Sequence, residues 1–100
     1  MSPTLVRDGD VLHMKGDFVF DSIVPVVALW QQIKLDYPPK IPLIINCSAV
    51  TKADSSFFAL LIEMRRWADH QEIKWQLRNL PKSLEGFLSA YGIGKLLASE

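Results

Sequence analysis

"TKADSSFFALL", residues 51–61, sets one acid and two adjacent serines directly in front of an unbroken apolar run. Short oxygen-bearing side chains are favoured where a helix begins, because the first backbone N–H groups have no partner inside the helix. The stretch therefore reads as a strand-to-helix junction, with Asp54, Ser55 or Ser56 as the cap and a helix expected over 55–69. The same place favours negative charge, through free amides and the helix dipole. A hydroxyl exposed there can also carry a phosphoryl group, which brings about −1.5 to −2 charges to the surface. Capping and a functional hydroxyl are compatible readings of Ser55 and Ser56.

The run that follows is too apolar for one helix face. Phe57, Leu60, Leu61, Met64 and Ala68 make an inward stripe, which leaves Phe58, Ile62 and Trp67 as surplus. Two outcomes are open. Either the other helices cover the surplus, or it is a docking patch for another protein. In the second case Asp54 and Ser55 shape the start of the docking helix. Phe58, Ile62, Arg65 and Arg66 then supply its apolar and charged contacts.

Upstream of the junction, LIINC (43–47) is a short apolar run rich in branched residues, expected as a central strand covered on both faces. SAVTKAD reads as a polar connection. Downstream, Ile73, Trp75 and Leu77 alternate with Lys74, Gln76 and Arg78, a half-buried strand. Strand, helix and strand in that order imply a parallel crossover.

The flanks complete the layer. Asp8-Gly9-Asp10 carries a hairpin signature, after which Leu12 and Met14 face the core while Val11, His13 and Lys15 face away. A helix capped by Asp21 or Ser22 is expected to turn Ile23, Val27, Trp30 and Ile33 inward, until the prolines at 38, 39 and 42 end it. Pro81 opens a third helix with Leu84, Phe87, Leu88 and Tyr91 on one face. Gly92 closes it in the left-handed conformation, and Ile93, Leu96 and Leu97 make a last packing contact. The expected fold is a single α/β domain over residues 1–100, a mixed sheet of about four strands with three to four helices packed on it.

The chemistry of most enzymes is missing from this pattern. No glycine-rich phosphate loop, dinucleotide fingerprint or Cys/His metal spacing occurs, so no cofactor and no metal are expected. His13 and His70 lie on different elements, and His13 reads as a solvated residue. Cys47 is the only cysteine and reads as a small core residue in a reducing compartment. Eleven basic residues balance eleven acidic ones, which gives no drive toward nucleic acid or an anionic membrane. MSPTLVRDGD lacks the features of a signal peptide, and no segment has the length of a membrane span, so a cytoplasmic protein with no direct membrane insertion is expected.

"NCSAVTKADSSFFALL" and "WQLRNLPKSLEGFLSAYGIGKLL", in this order of elements, resemble the STAS domain, the fold of the anti-sigma factor antagonists. The resemblance covers nearly the whole chain, and it implies a non-catalytic interaction module with no cofactor. Two branches of the family bear on function. In the antagonists the motif runs Asp-Ser-Ser-Gly-Leu, and its second serine is phosphorylated by an anti-sigma factor kinase; the matching residue is Ser56. In the lipid-asymmetry branch the motif begins Asp-Thr, and that hydroxyl supports assembly with the ATPase subunit of a phospholipid-transporting ABC transporter; the matching residue is Ser55. Phe57 and Phe58 stand where the kinase-regulated branch has Gly-Leu, placing bulky rings where a kinase needs close approach. The resemblance therefore implies an accessory subunit held peripherally at the inner membrane by its ATPase partner. The alternative is a phosphorylation-switched antagonist.

Overall fold

The computed structural model describes residues 1–99. Strands β1 (Thr4–Asp8) and β2 (Val11–Phe18) form an antiparallel hairpin whose two-residue loop places Gly9 at φ 61°. Helix α1 (Ile23–Leu35) leads to β3 (Leu43–Ala53), which lies parallel to β2. Helix α2 (Ser55–His70) then leads to β4 (Trp75–Arg78), parallel to β3, so the mixed sheet has the order β1-β2-β3-β4. Helices α3 (Lys82–Ala90) and α4 (Gly94–Leu97) follow.

β3 departs from expectation in two ways. Its first half alternates, with Leu43, Ile45 and Cys47 buried and Ile44 and Asn46 half-buried. One face therefore meets the core, and the strand is not covered equally on both. Its second half includes SAVTKA, expected as a connection. Pairing with β2 decides this, since the register runs on to Phe18 opposite Ala53. The Thr51 hydroxyl also donates to the Asp17 carboxylate across the two strands, which holds the Asp17 carboxyl below its usual range.

The open face of the sheet holds a small polar network. Asn46 Nδ2 lies 2.9 Å from His13 Nδ1, and Asn46 Oδ1 accepts from Asn79 Nδ2 at 2.9 Å and from the Ser48 amide at 3.2 Å. His13, expected as a solvated residue, is half-buried and bonded because parallel pairing puts β3 beside it. Gly16 on β2 has φ 98°, and a Cβ there would run into the backbone of Ser2.

α1 turns Val26 and Trp30 into the core, whereas Val27, expected inward, is 40% exposed. Apolar residues occupy 23, 24, 26 and 27 alike, so their spacing does not choose a face; packing of Trp30 against Trp67 does. Ser22 sits at the N-cap, but its hydroxyl donates to the Asp17 carbonyl at 2.8 Å and makes no capping bond. α3 closes as expected: Gly92 at φ 65° lets its amide reach the Ser89 carbonyl and the Ile93 amide reach that of Leu88. Leu97 is buried but Leu96 is 40% exposed, so only part of the last expected contact forms.

Candidate functional site

Asp54 is the cap of α2. One carboxylate oxygen accepts the Ser56 amide at 2.9 Å, and the other accepts the amide of Phe20 at 2.9 Å. Burial pushes the Asp54 carboxyl up, but the hydrogen bonds from Phe20 and Ser56 outweigh it and hold the group below its usual range. The acid thus ties the turn after β2 to the start of α2. With that role filled, neither serine is needed as the cap. Ser55 is exposed and Ser56 is half-buried.

Phe58 and Trp67 of the apolar surplus of α2 are covered within the chain, by α1, α3 and Tyr37, whereas Ile62 is not fully covered. Phe58, placed by its sequence among the candidate docking residues, is only 2% exposed and stacks on Phe87 of α3 with ring centres 5.5 Å apart. That corrects the expectation, and the cause is a ring supplied by a distant element. Trp67 stands edge-on to Trp30 at 5.4 Å and to Tyr37 at 5.2 Å. Ile62 is half-buried. Arg65 is occupied within the chain: it meets Asp69 at 3.1 Å and donates to the Ala98 carbonyl at 2.9 Å. Arg66 is exposed and lies 3.5 Å from Glu63.

What α2 presents outward is a ridge of Ser55, Ala59, Glu63 and Arg66, all exposed. An apolar depression lies on each side of it. Toward α1 runs a groove of about 380 Å³, walled by Ile23, Val27 and Trp30 on one side and by Ser56, Ala59 and Leu60 on the other. Phe20 stands at its edge, 77% exposed, and Gln31, Lys34 and Glu63 add its polar lining. Toward α3 lies a notch of about 160 Å³, where Ser55, Ala59 and Ile62 meet Tyr91 and Ile93. Ala59 belongs to both walls.

Of the residues singled out in the sequence, Asp54, Ser55 and Ile62 come together at this place, with Ser56 on the groove side. Phe58 lies beneath it, and Arg65 and Arg66 stand further along the helix. Phe20, Val27, Ala59 and Tyr91 were not anticipated. Phe20 carried one signal, an aromatic directly before Asp21 and Ser22 at the expected start of α1. An alanine carries none, because its value depends on what rises beside it.

Among the described residues no group of His, Cys, Asp or Glu is arranged to hold a metal ion, and no helix is long and apolar enough to cross a membrane. The arrangement suits contact with another macromolecule: an exposed hydroxyl, a small-residue ridge and apolar recesses on both sides. No curated protein matches the chain. A family model described as "Mlab, STAS domain" matches residues 1–98, and the chain belongs to that family of STAS domains.

Proposed function

We propose that the protein is a non-catalytic accessory subunit that binds the ATPase of a phospholipid-transporting ABC transporter and stabilises or regulates it. The protein is then cytoplasmic and peripheral to the inner membrane through that partner. The observation that carries this reading is the α2 ridge, where exposed Ser55 and Ala59 stand between two apolar recesses in a chain of the MlaB type. A small residue at the centre lets a partner backbone or side chain approach closely. The recesses on either side accept apolar anchors, the usual centre of such interfaces. Asp54 contributes by position, holding the Phe20 turn and the first turn of α2 as one unit.

Affinity purification from the native host tests the proposal. The expected result is co-purification of an ABC ATPase subunit with the wild-type protein and its loss with Ile62→Asp. Recovery of no ATPase by the wild type contradicts the proposal. Stoichiometric phosphate on Ser56 in protein isolated from cells would instead favour a switched antagonist of an anti-sigma factor kinase.

A further inference from the structure

The groove between α1 and α2, about 380 Å³, is the larger of the two recesses beside the ridge. Its walls are two helices side by side, and a helix laid over such a pair packs its side chains between theirs. From Ile23 to Lys34 the α1 wall is about 16 Å long at the helical rise, or about three turns. That length takes apolar anchors at i, i+3 or i+4, and i+7. Val27 is 40% exposed on this wall and Phe20 is 77% exposed at its edge, so apolar surface is available to be covered.

The polar lining says what kind of helix fits. Lys34 stands on the α1 wall and Glu63 on the α2 wall. An occupant with an acid facing α1 complements Lys34, and a base facing α2 can share Glu63, which lies 3.5 Å from Arg66. This charge pattern disfavours a bilayer surface: interfacial helices rely on basic residues around an apolar face, whereas here one basic and one acidic residue share the groove and the whole chain carries no net charge.

We propose that this groove receives an amphipathic helix of the partner, whose apolar side chains seat against Val27 and Leu60. Its acidic residue meets Lys34 and its basic residue meets Glu63. The assignment rests on the proposed binding to an ATPase subunit and adds which surface and which kind of segment make the contact. The notch on the other side of α2 contains no residue of α1, so the two recesses can be tested separately.

The probe is the purified ATPase subunit, titrated with the full chain. Val27→Asp is expected to weaken binding about a hundredfold, as expected for a charge placed at an apolar anchor. Lys34→Glu and Glu63→Lys are each expected to weaken it about tenfold, more strongly at low salt. Val6→Lys, on the exposed outer strand β1, serves as the control and leaves binding unchanged. A photo-crosslinker on Val27→Cys should join a helical segment of the ATPase with apolar residues at i and i+3 or i+4, since the native Cys47 is fully buried.

Wild-type binding that Val27→Asp leaves intact overturns the groove assignment and leaves the proposed function standing. A crosslink to a loop or strand of the ATPase, or between two copies of this chain, also overturns it. If the wild type does not bind the ATPase at all, the proposed function fails and the groove assignment falls with it.

Discussion

Asp54 accepts the amide of Phe20 at 2.9 Å across 34 positions of sequence while its second oxygen caps α2 at the Ser56 amide, also at 2.9 Å. One carboxylate thereby fixes the relation between the exposed Phe20 turn and the exposed Ser55. Asp54→Ala is expected to cost about 1–2 kcal/mol, the usual loss for a capping residue. The folded-state carboxyl is held below its ordinary range, so its contribution is present above that range and is lost as pH falls through it. Denaturant unfolding at pH 7 and pH 3 checks both points. The wild type should lose more stability between the two than Asp54→Ala does.

Phe58 separates a core role from a contact role. Phe58→Ala removes a ring that is 2% exposed and stacked on Phe87, and it should cost about 3–5 kcal/mol. Thermal or denaturant unfolding measures this. A loss below about 1 kcal/mol would mean that α3 does not cover the ring.

Gly16→Ala should be destabilising although alanine is small. The position has φ 98°, and the added Cβ meets the Ser2 backbone. A cost of about 1–3 kcal/mol is expected from backbone strain alone, read from the denaturation midpoint.

Cys47 should resist modification. It is fully buried, and burial pushes its thiol up to about 12. At pH 8 a thiol reagent should label it at least about a hundredfold more slowly in the native protein than in denaturant. The unfolded thiol ionises first, so stability attributable to this group falls as pH rises above the ordinary thiol range. Fast native labelling would contradict the burial.

The parts of the fold that the sequence reveals are those fixed by local chemistry. Asp8-Gly9-Asp10 shows the hairpin and Gly92 the end of α3, because each needs a particular backbone conformation. The α2 junction is legible because an acid precedes a helical run. Three features were hidden for a shared reason. SAVTKA becomes strand only by pairing with β2, Phe58 becomes core only under Phe87, and His13 gains a partner only when Asn46 lies beside it. The candidate site was half visible: Asp54, Ser55 and Ile62 could be named, but Phe20, Val27 and Tyr91 reach α2 from other elements.

If a partner docks on the α2 ridge, a bulky charge at Ala59 should block it, because Ala59 is exposed and lines both recesses. The measurement is a titration of the purified ATPase subunit with wild type and with Ala59→Glu, alongside their unfolding midpoints. The expected result is a loss of binding of about a hundredfold with stability unchanged within about 0.5 kcal/mol. Equal affinity of the two proteins for the ATPase would contradict it.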